Sequence, residues 1–341
     1  MHMSEPSKVT EASLTRMVKN NYGITVRTLS FLPLGADVDT FTYRLEAFNG
    51  VDFFLKLRSK KGFQPASLLI PCFLDQQGIP YVLTPLMTES GTAWVELESY
   101  ILSLFPFVEG HRVAEGGMSP EHWNALGAMM RRVHTCRLPE DLLQHIPYER
   151  FTPSRREIVP RLDDVLTDSN QPDPLQHELA DFWSSHRTTI HHVITRSDAL
   201  GRQLRRRDPP FALCHADLHT WNMLIDNNGQ LWLLDWDEVT LAPKERDLMF
   251  VIPGIGLGLV KPQETTSFLE GYGEAKIDPI ALIYYRYAWA AQDLAAYGEQ
   301  VCFMPGQDRD ERRKALECFI DLFGSGKIIE IASASDGIAG E

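Results

Sequence analysis

The chain has 341 residues, a formal net charge of −13, and ordinary proportions of apolar (44%) and charged (23%) residues. This length predicts one large or two medium globular domains. The acidic balance argues against nucleic acid as a partner, because phosphate contacts need a basic face. No apolar run approaches the roughly 20 residues that span a bilayer, so no membrane partner is expected. The five cysteines are dispersed, which predicts free thiols in a reducing cytoplasm. The sequence leaves the oligomeric state open.

The first third of the chain predicts one helix followed by strands. Apolar residues recur at helical spacing over 11–22, and Gly23 ends that helix. Asn49-Gly50 lies between two apolar runs and predicts a hairpin turn. Apolar runs between turn residues predict six strands: 24–32, 40–48, 51–57, two within 79–95, and 99–108.

The remainder of the chain reads mainly as helix. Ser119 followed by Pro120 is typical of a helix start, with Ser as the N-cap. Long helical patterns follow over 176–206 and from Pro279 to Tyr297. The histidines of the first of these helices have no further metal ligand at a known spacing, so they are interpreted as solvated.

The most informative stretch is 213–238, LCHADLHTWNMLIDNNGQLWLLDWDE. Asn228-Gly229 between two apolar runs predicts a hairpin, which would bring Asp235 back beside Asp217 and Asn222. Phosphoryl transfer needs a carboxylate for the acceptor hydroxyl and hard oxygen ligands for Mg²⁺, and these three residues supply that set. The alternative is a buried polar turn with capping Asp and Asn residues.

HADLHTWN followed by LLDWDE resembles the aminoglycoside phosphotransferase family, the small-molecule branch of the protein-kinase-like fold. The segments LAPKERDLMF, EGYGE and YYRYAWAAQDLAAYG are similar to the spectinomycin phosphotransferase subgroup. The resemblance implies an α+β, bilobal fold with a small β-rich N-lobe and a larger, mainly α-helical C-lobe. It places the N-terminal nucleotide-binding lobe at 1–105, the hinge at 106–110 and the catalytic lobe at 111–341.

The resemblance also implies roles for particular residues. Asp217 would be catalytic and would orient the acceptor hydroxyl, braced by His215 and His219. Asn222 and Asp235 would hold Mg²⁺, although Asp237 could also reach the metal. The residues implied to bind ATP are Lys56, Gly35, Asp37, Phe105 and Phe107. The residues implied to bind the acceptor are Asp217, Tyr285, Trp289 and Asp293.

The expected function is therefore ATP-dependent O-phosphorylation of a cationic aminocyclitol or aminoglycoside antibiotic, most similar to spectinomycin, giving resistance. A metabolic kinase acting on choline, homoserine or methylthioribose is an alternative on the same fold. One departure favours a third possibility. Kinases pair the strand lysine with a Glu of the next helix, whereas 60–74 contains no acid and has Pro65 at that place. Lys56 then lacks its expected partner, as in a nucleotide-binding pseudokinase.

Overall fold

The structure is a computed structural model that describes residues 9–33, 40–167, 173–253, 260–304 and 308–340. Gly35 and Asp37, predicted to bind nucleotide, lie outside the described residues. The chain divides into two compact units. The first comprises Met1–His122, Met129–Pro147 and Asp217–Val239, and the second comprises Trp123–Ala128, Tyr148–Ala216 and Thr240–Glu341. The lobe boundaries given above stay a prediction.

The described residues form ten strands: β1 (Val26–Leu32), β2 (Thr40–Ala47), β3 (Asp52–Ser59), β4 (Val95–Leu97), β5 (Tyr100–Pro106), β6 (Gly110–Arg112), β7 (Ala212–Cys214), β8 (Met223–Asp226), β9 (Leu231–Leu233) and β10 (Thr240–Ala242). Their α-helices are α1 (Glu11–Tyr22), α2 (Ala66–Gln76), α3 (Val113–Gly116), α4 (Pro120–Thr135), α5 (Glu140–Leu143), α6 (Ile158–Leu166), α7 (Pro174–Arg207), α8 (Glu245–Leu248), α9 (Pro262–Tyr272), α10 (Pro279–Phe303), α11 (Arg309–Asp321) and α12 (Ile328–Ala334). Among these helices, none combines the length and the apolar character that crossing a membrane requires.

The first unit is built on a five-stranded antiparallel sheet of order β1-β2-β3-β5-β4. The predicted turn at Asn49-Gly50 joins β2 to β3, and Gly50 adopts a φ of +79° that favours glycine. Helix α1 packs on this sheet, because Leu14 and Val18 on its apolar face join the core formed by the strands.

The prediction of two strands within 79–95 is wrong. The one strand that overlaps this range is β4, which begins at Val95. Val82 makes an isolated bridge to Leu233. The chain then turns after Thr88, whose backbone oxygen accepts a hydrogen bond from the N–H of Gly91 at 2.9 Å. The Thr88 hydroxyl accepts a hydrogen bond from the backbone N–H of Thr92 at 3.0 Å, which competes with strand pairing.

The second unit is mainly helical, and α7 and α10 are its longest helices. The predicted helix over 176–206 is confirmed as α7, which begins after the N-cap Asp173 and ends at Arg207, followed by the C-cap Asp208 in the left-handed region. Helix α10 is buried along much of its length and contacts α6, α7, α11 and α12.

The last described segment is held against this unit by hydrogen bonds. The buried guanidinium of Arg286 donates to Ser335 Oγ at 2.5 Å and to the carbonyl of Ile252. Desolvation lowers the pKa of Arg286 to about 10. Asp336 accepts hydrogen bonds from Tyr287 and Arg196, each at 2.8 Å. Residues 335 and 336 are therefore part of the packed structure.

Helices α9 and α4 approach closely at Gly271, where a Cβ would lie 1.9 Å from the backbone oxygen of Asn124. We expect Gly271→Ala to reduce the free energy of unfolding by about 1–3 kcal/mol, because a backbone atom cannot move aside as a side chain can. Gly298→Ala is the matched control, since the three atoms nearest to its Cβ belong to the side chain of Leu162 and not to backbone. Urea unfolding of both variants measures the difference, and equal losses would contradict the explanation.

Asp163 links α6 to α7 and makes the stability of this unit sensitive to acid. Arg187 donates to both carboxylate oxygens, at 2.9 and 2.6 Å, and lowers the pKa of Asp163 against the opposing effect of burial. Trp183 adds a hydrogen bond at 2.8 Å. A carboxyl whose folded pKa lies below its unfolded value of about 3.9 stabilises the fold above that pH and loses this contribution as the pH falls.

We therefore expect Asp163→Asn to flatten the acid limb of the stability profile. Between about pH 5 and pH 3, the wild type should lose more free energy of unfolding than the variant. Asp181→Asn is the control, because Asp181 lies on α7 with its side chain 77% exposed. Chemical denaturation at several pH values measures the slopes, and parallel slopes for wild type and Asp163→Asn would refute the assignment.

Candidate active site

The segment before Asp217 is fixed by a buried carboxylate. Strand β7 ends at Cys214, and the backbone N–H groups of His215 and Ala216 donate to Asp247 Oδ2 and Oδ1 at 2.9 and 2.6 Å. Asp247 is fully buried in α8. Ala216 has a φ of +68°, a backbone conformation that residues other than glycine rarely adopt. Asp247 therefore stabilises a strained backbone at the residue that precedes Asp217.

Asp217 lies among the polar side chains of its own loop. Asn222 Nδ2 donates to Asp217 Oδ2 at 2.7 Å and to its backbone oxygen at 3.0 Å. His219 Nε2 lies 3.3 Å from Asp217 Oδ2. The Asp217 side chain keeps 25% of its surface exposed, so the carboxylate is oriented and still accessible.

The predicted hairpin at Asn228-Gly229 is confirmed as β8–β9, and it brings Asp235 beside Asn222. The backbone N–H of Leu234 donates to the backbone oxygen of Asn222 at 2.8 Å. Asp235 follows with a φ of +56°. The hairpin therefore sets the residue after Leu234 next to the Asp217 loop, as the sequence predicts.

Lys56 lies in β3 with only 12% of its side chain exposed, and two carboxylates neutralise it. Its Nζ is 3.0 Å from Asp235 Oδ1 and 2.8 Å from Asp237 Oδ2. Desolvation would raise the pKa of Asp235, but the charges of Lys56 and Arg58 outweigh it and hold that pKa below its usual value. Asp235 is therefore ionised near neutral pH.

Helix α2 has no acid in its first turn, as the sequence predicts, and Pro65 is its N-cap. Lys56 therefore lacks the acid that kinases place on this helix, but it has two other acidic partners, Asp235 and Asp237. The sequence contains only a weak indication of this pairing. Asp235 and Asp237 are two residues apart, as are Lys56 and Arg58, so each pair faces one side of an extended segment.

Asn222 and Asp235 form a donor set that suits a magnesium ion. The Asn222 amide nitrogen is used by Asp217, which leaves the amide oxygen as the atom able to bind a metal. Asp235 adds an ionised carboxylate. Hard oxygen ligands of this kind are those that Mg²⁺ prefers.

The two aromatic residues predicted to contact nucleotide lie at the end of β5. Phe105 is buried and packs with Phe54, with ring centres 6.4 Å apart. Phe107 is half-buried, its backbone N–H donates to the Asp52 oxygen at 3.2 Å, and the Arg44 guanidinium lies 4.5 Å from its ring centre. Their roles as nucleotide contacts stay predictions.

The residues predicted to bind the acceptor occupy α10 in the second unit. Tyr285 is buried, which favours packing over direct contact with a ligand, whereas Trp289 and Asp293 are partly exposed. The guanidinium of Arg246 lies 5.6 Å from the ring centre of Tyr285 and 5.7 Å from that of Trp289. A cation of the protein itself therefore already uses these aromatic faces, which sequence reasoning missed.

Residues 31–298 match the model of the Phosphotransferase enzyme family. The chain belongs to this family. Its fold is the α+β, protein-kinase-like fold of the family, and the chain is a phosphotransferase, as the sequence predicted.

Comparison with individual proteins is more specific than comparison with the family as a whole. Spectinomycin phosphotransferase APH(9)-Ia, solved with ADP and spectinomycin, is 28% identical with a TM-score of 0.85, over 97% of this chain and 99% of that chain. Protein StrN of Streptomyces griseus is 25% identical over 250 residues, 70% of this chain and 76% of that protein. Choline kinase LicA from Streptococcus pneumoniae shares the fold, with a TM-score of 0.54 and 14% identity over 91% of this chain and 99% of that chain.

Proposed function

We propose that this phosphotransferase transfers the γ-phosphoryl group of ATP to a hydroxyl of a cationic aminocyclitol or aminoglycoside, with spectinomycin as the first candidate. The observation that carries the proposal is the grouping of Asp217, Asn222, Asp235 and Lys56 in one compact unit. The likeness to spectinomycin phosphotransferase over 97% of the chain supports the choice of acceptor.

In this mechanism Asp217 accepts a hydrogen bond from the acceptor hydroxyl and orients it for in-line attack on the γ-phosphorus. The hydrogen bond from Asn222 and the nearby His219 hold the Asp217 carboxylate in one orientation. The Lys56 ammonium binds the nucleotide phosphates. When Mg²⁺ is bound by Asn222 and Asp235, it supplies positive charge to the transferring group. Most of the rate enhancement comes from positioning and charge neutralisation, without a phospho-enzyme.

The three residues of α10 proposed to serve the acceptor, Tyr285, Trp289 and Asp293, have different roles. Asp293 supplies a partly exposed carboxylate for an ammonium group of the acceptor, and Trp289 supplies an aromatic edge. Arg246 lies against Trp289, so the ammonium group is matched by Asp293 and not by the ring face. Tyr285 contributes by holding Arg246 in place. Modification of an antibiotic in the cytoplasm at such a site would give resistance.

The function is tested by ADP release from purified protein with Mg²⁺ and ATP. The acceptors are spectinomycin, a panel of aminoglycosides, and choline, homoserine and methylthioribose. Stimulation by spectinomycin supports the proposal. Stimulation by a metabolite alone replaces the acceptor and keeps the chemistry. ADP binding without stimulation by any acceptor would show a nucleotide-binding protein that does not turn over.

A further inference from the structure

Four charged side chains of the first unit form an alternating chain of ion pairs. Lys56 and Arg58 are two residues apart in β3, so they project from the same face of the sheet. Asp237 bridges them: Oδ2 is 2.8 Å from Lys56 Nζ, and Oδ1 is 2.7 Å from Arg58 Nη2. Asp235 contacts the other side of Lys56 at 3.0 Å. Two cations and two carboxylates thus neutralise one another within one cluster.

Helix α2 reaches this cluster through a hydroxyl group and not through an acid. Arg58 Nη1 donates to Ser67 Oγ at 3.0 Å, and Ser67 Oγ donates to the Gln64 oxygen at 2.8 Å. Arg58 is almost buried, with 10% of its side chain exposed. The connection from the first turn of α2 to Lys56 therefore runs through Arg58 and Asp237.

We propose that Asp237 is the positioning residue for Lys56 and takes the place of the missing acid on α2. The inference rests on the proposed function, since it concerns how Lys56 meets the nucleotide phosphates. Asp235 cannot serve this purpose fully, because a carboxylate that binds a metal ion has less charge to offer an ammonium group. Asp237 is anchored by Arg58 and stays beside Lys56. One acid thus positions the lysine, and the other is left for the metal.

Asp237→Asn removes the charge and keeps the size of the side chain. Lys56 then keeps Asp235 as its one carboxylate partner in the cluster. The attraction to Asp235 is no longer balanced and draws the ammonium group away from the nucleotide phosphates. We expect the dissociation constant for ADP, measured by calorimetry in EDTA and again with Mg²⁺, to rise about tenfold. The KM for ATP should rise by a similar factor, while the KM for the acceptor stays unchanged.

A double-mutant cycle separates positioning from a general effect on the fold. If Asp237 acts through Lys56, then Asp237→Asn should add nothing to the loss of ADP affinity in a Lys56→Met background. Glu96→Gln is the matched control, because Glu96 pairs with Lys60 at 2.7 Å near the same sheet. This control should leave the dissociation constant unchanged. If Asp237→Asn does not fold, Asp237→Glu keeps the charge but displaces it, and should give a smaller loss of the same kind.

The outcomes are distinguishable. Wild-type affinity for ADP in a folded Asp237→Asn or Asp237→Glu variant overturns the inference. A full additional loss in the Lys56→Met background also overturns it, because Asp237 would then act elsewhere. A wild-type protein that neither binds ADP nor releases it from ATP with any acceptor overturns the proposed function itself. Weaker ADP binding that disappears in the Lys56→Met background supports the inference.

Discussion

Asp217→Ala is expected to lower kcat by about 10²–10⁴-fold, the range typical for loss of a general base or of the group that orients the nucleophile. The dissociation constant for ADP should change little, because the charged partner proposed for the phosphates is Lys56. The physical reason is that Asp217 is held by Asn222 Nδ2 at 2.7 Å and keeps 25% of its side chain exposed. ADP release at saturating ATP and acceptor measures the loss.

Asp217→Asn separates charge from shape. It fills the same volume, so a comparable loss of kcat would assign the effect to the carboxylate and not to a cavity. The melting temperatures of both variants should remain close to that of the wild type, since the side chain is partly exposed. A variant that keeps near-normal turnover would falsify the assignment of Asp217 as the catalytic residue.

Asp247→Ala is expected to reduce both stability and activity, although Asp247 contacts no reacting group in the proposed mechanism. Removal of its carboxylate leaves the backbone N–H groups of His215 and Ala216 buried without their acceptor. Each such group costs about 1–3 kcal/mol, so we expect a loss of about 3 kcal/mol in the free energy of unfolding. Activity should also fall at temperatures where the variant is folded, because the φ of +68° at Ala216 is no longer stabilised.

Asp247→Asn provides the graded control. Its side-chain oxygen can accept one of the two backbone hydrogen bonds, whereas its amide nitrogen cannot accept the other. Its stability should therefore lie between those of the wild type and Asp247→Ala. Denaturant unfolding and kcat are measured on the same preparations. If Asp247→Ala melts and turns over like the wild type, the buried carboxylate does not hold this segment.

Much of the fold could be predicted because its signals are local. The two Asn-Gly pairs each mark a hairpin, because a tight turn between strands needs a residue with positive φ. Gly50 and Gly229 both have a positive φ. The same reasoning failed over 79–95. An apolar run does not reveal whether a partner strand is available, and here the turn at Thr88 uses side-chain hydrogen bonds instead.

The candidate site shows the same division between local and distant signals. Asp217, Asn222 and Asp235 belong to one short stretch joined by a hairpin, so their grouping follows from the sequence. The partners of Lys56 do not follow, because Asp237 is 181 positions away in the chain and either of two alternating acids could have reached it. The approach of Arg246 to Trp289 likewise depends on how α8 packs on α10, which no local pattern encodes.

The hydrogen bonds of Ser335 and Asp336 have a consequence for where this protein can be truncated. Ser335 accepts a hydrogen bond from Arg286, and Asp336 accepts one from Tyr287, both in the first half of α10. A truncation that removed Ser335 and Asp336 would take one acceptor from the buried guanidinium of Arg286 and the carboxylate that accepts from Tyr287, although helices α1 to α12 would all remain. A truncation that keeps Ser335 and Asp336 should therefore be tolerated better than one that removes them.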